Sequence, residues 1–117
     1  MNQEQICIKR AHNICTFDRD IAENFGLEEA VFVMYLQQSI DTAFEIKRHK
    51  PEEVELIVKD GLVWKPWTVD QLSQEIRFWT PKQIRRIKDS CVKQGIIRVD
   101  FLDIDPMDRR LWYAVVK

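Results

Sequence analysis

The sequence predicts an α+β fold that is mainly helical, and three observations carry this prediction. A helical pattern begins after Thr80 and ends at Gly95. Two segments that alternate apolar and polar residues, IIRVDF and RRLWYAVV, follow that helix and are typical of paired strands. A long apolar run over residues 27–44 predicts a second, central helix.

The composition predicts a single globular domain over residues 1–117. Hydrophobic residues make up 45% of the chain and charged residues 32%, which is the balance of a folded, soluble protein. No apolar run reaches the roughly 20 residues that a membrane helix needs. Cys7, Cys15 and Cys91 lack the spacing of a metal site, and no signal peptide is apparent. We therefore expect a reducing, cytoplasmic location.

The elements of the first half can be predicted in order. Residues 1–16 are expected to form a short strand or an arm. Asp18 opens and Gly26 closes a short helix, and the 27–44 helix follows directly. The residues of that long helix spaced to line a core are Leu27, Ala30, Val31, Met34, Tyr35 and Ile40, with Phe32, Val33 and Leu36 widening the same face.

The middle of the chain is more polar. Residues 45–60 are expected to form a charged insertion loop, in which residues 54–58 suit either a helical turn or a strand. GLVWKPW predicts a short edge strand, because Pro66 cannot donate a hydrogen bond to a central ladder. Thr68 is then expected to cap a short helix, VDQLSQEI. Phe78 and Trp79 are expected to form the turn that follows it.

The helix after that turn has clear ends. Thr80 is a good N-cap, Pro81 suits the first helical position, and Gly95 suits the C′ position. On a helical wheel Ile84, Ile87 and Cys91 form a narrow apolar seam. The opposite side carries Lys82, Arg86, Asp89 and Lys93, flanked by Arg85.

The order of these elements is helix, short strand, helix, turn, helix, strand, wing and strand, with LDIDPMD at the wing tip. This is the order of a winged helix-turn-helix with a C-terminal two-stranded wing. Charge is distributed unevenly along it, because residues 77–98 carry a net charge of +6 and residues 1–76 carry −6. Such a chain can bind a polyanion through one patch.

The chain also resembles a known family. FGLEEAVFVMYLQQSI, the segment from DGLVWKPW to KQGIIRV, and DRRLWYAV are similar, in that order, to the N-terminal winged-helix domain of phage and plasmid replication initiators of the replisome-organizer type. The resemblance implies DNA binding. It implies a recognition helix that carries Lys82, Gln83, Arg85, Arg86 and Lys93, and wing strands that carry Arg98, Arg109 and Arg110. It implies core or turn positions for Trp64, Trp67, Trp79 and Trp112.

No catalytic constellation appears in the sequence, so we expect no enzyme activity, no cofactor and no metal. The acidic wing residues Asp100, Asp103, Asp105 and Asp108 are expected to form a solvated turn, since they lack the glycine and final glutamate of a calcium loop.

The leading hypothesis is a phage- or plasmid-type protein that binds the major groove of double-stranded DNA in replication initiation or transcriptional control. Arg85 and Arg86 are candidates for guanine or phosphate, Gln83 for adenine, and Lys82 and Lys93 for phosphate.

Two alternatives stay open. The acidic balance of residues 1–76 favours a protein-interaction module that uses the same scaffold to grip a host or replication protein, as a phage-encoded inhibitor or adaptor would. A third hypothesis is a homodimer joined through the N-terminal arm and the long helix. The DNA sequence recognised and the identity of any protein partner are not encoded in a recognisable pattern.

Overall fold

The computed structural model describes residues 16–102 and 110–116. Its helices are α1 (Arg19–Phe25), α2 (Leu27–His49), α3 (Val69–Glu75) and α4 (Pro81–Lys93), with a 3₁₀ turn at Pro51–Glu53. Its strands are β1 (Ile57–Lys59), β2 (Leu62–Trp67), β3 (Ile97–Asp100) and β4 (Leu111–Val115). The predicted α+β class with a helical majority is confirmed. The arm expected over residues 1–16 lies, except for its last residue, outside the described residues, as does most of the predicted wing tip.

The four strands form one antiparallel sheet in the order β1-β2-β4-β3. Strand β4 pairs with β2 from Trp67↔Leu111 to Trp64↔Ala114, and with β3 from Asp100↔Trp112 to Ile97↔Val115. The helices cover one face of this sheet and form the main core with it. The other face carries a smaller cluster built on two tryptophans of neighbouring strands, Trp64 and Trp112.

Helix α1 forms where the sequence predicts it. The Asp18 carboxylate accepts hydrogen bonds from the backbone N–H groups of Asp20 and Ile21, at 2.8 and 3.2 Å. Gly26 ends α1 and precedes α2, and its φ of +117° is a conformation that side-chain-bearing residues rarely adopt.

The long helix differs from its prediction in length and in its buried face. It continues five residues beyond the predicted end, to His49. Leu27 was expected to line the core, but it is 58% exposed, and Val31, Met34 and Tyr35 are only partly buried. The buried residues are Ala30, Phe32, Val33, Leu36, Ile40 and Ala43. Since residues 30–36 are apolar on every side, periodicity could not identify the face that packs.

The charged insertion loop predicted over residues 45–60 is wrong at both of its ends, and the strand considered for residues 54–58 overlaps β1. Residues 45–49 continue α2, the 3₁₀ turn follows, and residues 57–59 form β1. Asp60 and Gly61 connect β1 to β2 with φ angles of +55° and +72°. A two-residue Asp-Gly loop with positive φ at both positions matches the twist of a hairpin.

Strand β2 is internal to the sheet, which contradicts its predicted edge position. Strand β1 pairs only with residues 62–64, so Pro66 lies in the part of β2 that has a strand on one side alone. The missing proline N–H therefore leaves the ladder with β1 intact.

The two helices of the predicted helix-turn-helix pair each begin with a capping box. Thr68 and Gln71 bond reciprocally at the start of α3, and Thr80 and Gln83 do so at the start of α4. Helix α4 ends in a Schellman arrangement, in which Gly95 has a φ of +76° and donates to the Val92 carbonyl. The predicted apolar seam of α4 is fully buried: Ile84, Ile87 and Cys91. Within the described residues, no helix is both long and apolar enough to cross a membrane.

Candidate nucleic-acid interface

Three cations of α4 project freely from the protein. Lys82, Arg85 and Lys93 are exposed and form no ion pair with any other residue that the structure describes. Lys82 and Lys93 are three turns apart on almost the same line of the helix, so they are roughly 16 Å apart along its axis. We call these three residues the α4 stripe. Among the described residues of the predicted recognition surface, they are the cations that form no ion pair.

An acid lies beside the α4 stripe. The Asp89 carboxylate is 74% exposed and lies 3.6 Å from the Lys88 ammonium. Asp89 pairs with this neighbouring lysine and not with Arg85 or Arg86, although both arginines lie about one turn before it on α4. The Lys88 ammonium reaches the Asp89 carboxylate although the Lys88 side chain is only 15% exposed.

Arg86 points to the side of α4 that meets α2. Its two terminal nitrogens donate to the two carboxylate oxygens of Glu28, at 3.2 and 2.9 Å. These hydrogen bonds, together with the charge of Glu28, raise the pKa of Arg86. Arg86 was predicted to contact guanine or phosphate, and the structure pairs its guanidinium with Glu28 while leaving the side chain 59% exposed.

The same flank of α4 is fastened to the junction of α1 and α2. The Ser90 hydroxyl donates to the Glu29 carboxylate at 2.9 Å, and the Gln94 amide donates to the Phe25 carbonyl at 3.0 Å. Beneath them, burial followed by the charge of Glu29 raises the pKa of the Cys91 thiol from 9.0 to about 12. These contacts fix the rotation of α4 about its axis, and in this orientation the α4 stripe faces solvent.

Gln83 helps to cap the N-terminus of α4. Its side-chain oxygen accepts a hydrogen bond from the backbone N–H of Thr80 at 2.8 Å, and the residue is partly buried. The sequence indicated Gln83 as an adenine reader, a role that uses both the oxygen and the nitrogen of the amide. In the structure one of the two acceptor sites of the oxygen is used by this cap, which fixes the direction in which the amide points.

The two described arginines of the predicted wing pair with acids that lie on either side of β1 in the sequence. The Arg98 guanidinium is 3.5 Å from the Asp60 carboxylate and stacks 5.1 Å from the centre of the Trp64 ring. Arg110 donates to both carboxylate oxygens of Glu55, at 3.0 and 2.7 Å. Arg109 lies outside the described residues.

The predicted interface is therefore divided. Lys82, Arg85 and Lys93 remain exposed along α4. Arg86, Arg98 and Arg110 instead pair with acids that are 38 to 58 residues away in sequence. Sequence reasoning missed the three acidic partners, Glu28, Glu55 and Asp60. No local pattern could have identified them, because each pairing depends on how distant segments pack.

The described residues hold no group of three or more His, Cys, Asp or Glu side chains arranged to bind a metal ion. Comparison with protein-family models, with curated proteins and with solved structures finds no match to this chain. The resemblance to replication-initiator domains thus stays a prediction from sequence motifs.

Proposed function

We propose that this chain is a non-enzymatic winged-helix protein that binds double-stranded DNA through α4. The topology supports a winged helix, since α3 and α4 connect two strands that flank β4 in the same antiparallel sheet. In this arrangement β2, β4 and β3 form the small sheet, and β3 with β4 forms the base of the wing. Strand β1 is an addition at the far edge.

The observation that carries the proposal is the α4 stripe. Lysine and arginine side chains that stay exposed and unpaired along one side of a helix are suited to bind phosphate oxygens, and on binding they displace the counterions of the DNA. The helix N-terminus adds a partial positive charge at the same surface, next to Lys82. A role in phage or plasmid replication initiation, or in transcriptional control, rests on the sequence resemblance alone.

A charge-reversal experiment tests the proposal. The variant Lys82→Glu/Arg85→Glu/Lys93→Glu removes the α4 stripe, and fluorescence anisotropy with a labelled random duplex measures binding. We expect binding to be lost while the circular dichroism spectrum is unchanged. The matched control, Arg48→Glu/Lys50→Glu/Lys59→Glu, makes the same change in net charge at exposed positions away from α4. Equal loss in both variants would contradict a defined interface, and retention in the stripe variant would contradict the role of α4.

A second candidate function, a protein-interaction module on the same scaffold, is favoured by one observation. Arg86, Arg98 and Arg110 are each paired with an acid of the chain, so the surface is less cationic than the sequence predicts. This hypothesis predicts no binding to duplex DNA by the wild type even at low salt. It also predicts that charge reversal at Glu52 and Glu53, both exposed, weakens capture of a protein partner.

A further inference from the structure

A cavity of about 750 Å³ opens on a different side of the molecule from the α4 stripe. Its walls come from the C-terminal half of α2, the segment after it, the end of β2, and α3, and Arg110 closes one side. None of the described lining residues belongs to α4. The volume lies within the range of sites that hold small molecules.

The ammonium group of Lys65 borders this cavity without an acceptor. It lies 4.0 Å from the centre of the Trp67 ring and forms no hydrogen bond or ion pair with the described part of the chain. Lys65 is partly buried, and this burial lowers its pKa, although the charges of Glu75 and Glu55 act in the opposite direction and that of Arg110 adds to the lowering. Carboxylates lie near this cation but none contacts it, so its desolvation is only partly offset.

The other charges around the cavity are arranged differently. Glu55 is bound at two points by Arg110, so that pair contributes no net charge. Glu53 and Glu75 are exposed residues of the lining, and one carboxylate oxygen of Glu75 accepts a hydrogen bond from the Trp67 indole at 3.4 Å. The cavity thus offers one cation on β2 without a hydrogen-bond acceptor and two exposed carboxylates in its lining.

We propose that this cavity binds a small zwitterion, a free amino acid or a peptide of two or three residues. The ligand carboxylate accepts hydrogen bonds from Lys65, and its ammonium group donates to Glu75 or Glu53. A simple anion would satisfy Lys65 but would meet two carboxylates, and a simple cation would be repelled by Lys65. Because the volume exceeds that of one amino acid, a short peptide fills the cavity better. Ser39, Thr42 and Gln74 line the walls and can bond the peptide backbone.

Trialanine and two capped forms provide the test, because the proposed recognition is of the charged ends and not of the side chains. Each is titrated at millimolar concentration into the ¹⁵N-labelled full chain, and the indole N–H resonance of Trp67 is followed by NMR. We expect trialanine to shift this resonance. We expect N-acetyl-trialanine and trialanine amide, which each lack one charged end, to bind about tenfold more weakly or worse.

A pair of lysine variants tests the site itself. Lys65→Met should abolish the shift, and its melting temperature should equal or exceed that of the wild type, because the variant removes a partly desolvated charge that has no hydrogen-bond or ion-pair partner and keeps an apolar side chain against the Trp67 ring. Lys59→Met makes the same chemical change at an exposed position and should bind trialanine as the wild type does. A merely structural Lys65 would instead give a lower melting temperature.

The outcomes are distinguishable. Binding of free alanine with an affinity similar to that of trialanine supports the proposal and assigns the site to amino acids, and binding of trialanine alone assigns it to peptides. Equal binding of the N-acetylated form overturns the proposal in favour of a simple anion site. No shift with either alanine or trialanine overturns it altogether. None of these results depends on whether α4 binds DNA.

Discussion

Arg86 of α4 and Glu28 of α2 are 58 residues apart in the chain and form a two-point ion pair, with guanidinium-to-carboxylate distances of 3.2 and 2.9 Å. The pair joins the candidate recognition helix to the first turn of the longest helix. In the proposed function it also removes one cation from the DNA-binding surface. Glu28 therefore competes with phosphate for Arg86.

The first prediction follows from this competition. Glu28→Gln frees Arg86, so duplex DNA should bind more tightly, and the slope of log K against log salt should become steeper by about 0.9. The free energy of unfolding should change by less than about 1 kcal/mol, because both side chains are largely exposed. Anisotropy titrations at several salt concentrations and urea unfolding measure the two effects.

Glu52→Gln is the matched control for that experiment. It makes the same change in charge in the 3₁₀ turn just beyond the C-terminal end of α2, which lies roughly 30 Å from Glu28 along the helix axis, and it should leave the salt slope unaltered. An identical gain in both variants would mean that net charge, and not Arg86, sets the affinity. A weaker affinity in Glu28→Gln would mean that the ion pair orients Arg86 for DNA.

The second prediction concerns the end of α4. Gly95 has a φ of +76°, and a Cβ there would meet no atom within 4 Å, so any cost of substitution is conformational. Gly95→Ala should lower the free energy of unfolding by about 1–2 kcal/mol. Gly95→Asn should cost less, because asparagine tolerates this conformation. Equal costs in urea unfolding would contradict the conformational explanation.

The third prediction concerns an unsatisfied hydroxyl. The Tyr113 ring is fully buried and meets Trp67 edge to face at 5.6 Å, but its hydroxyl has no hydrogen-bond partner among the described residues. Tyr113→Phe keeps the ring contact and removes the orphan group, so it should raise the free energy of unfolding by about 1 kcal/mol. Ser73→Ala, at a second buried hydroxyl that has no partner in the described part of the chain, should act in the same direction. A clear loss of stability in Tyr113→Phe would show that the hydroxyl has a partner.

The fourth prediction is a loss of stability at alkaline pH. Burial raises the pKa of Cys91 from 9.0 to about 12, and burial followed by the charge of Asp89 raises the pKa of Tyr113 from 10.0 to about 12. The folded state thus holds both protons more tightly than the unfolded state. The resulting stability is fully present below about pH 9 and is lost as the pH rises towards about 12.

Urea unfolding from neutral pH to about pH 11 measures this decline. Tyr113→Phe should flatten the upper part of the curve, and Cys91→Ala should flatten the part that begins near the ordinary thiol pKa. The cavity left by Cys91→Ala lowers stability at every pH, so the slope and not the absolute value is compared. A wild-type curve that stays flat over this range would contradict the burial of both groups.

Short sequence signals correctly predicted the helix ends, because a helix end depends on contacts between residues that are close together in the chain. Asp18, Thr68 and Thr80 each cap the helix that the sequence assigns to them, and Gly95 ends α4 as expected. The buried seam of α4 was predicted correctly, because its apolar residues are few and periodic. The hairpin of β1 and β2 was missed, although its Asp60-Gly61 loop is a strong turn signal.

The remaining differences come from contacts between distant segments. The buried face of α2 depends on which side α4 and the sheet cover, and a run of apolar residues does not encode that choice. The internal position of β2 depends on β1 and β4, which lie on either side of it in sequence. The pairing of Arg86, Arg98 and Arg110 with acids likewise arises only in the folded chain. The helix that carries the candidate site, and the three cations that it leaves exposed, could therefore be named from the sequence. The pairing of the other arginines with acids could not.

The salt dependence of duplex DNA binding by the wild-type chain tests the central claim most directly. Three unpaired cations on α4, each displacing a counterion, predict a slope of about −2.7 in a plot of log K against log salt. Fluorescence anisotropy with a labelled random duplex supplies the affinities. Saturable binding with this slope supports a DNA-binding winged helix, and the absence of binding at about 50 mM salt would contradict it.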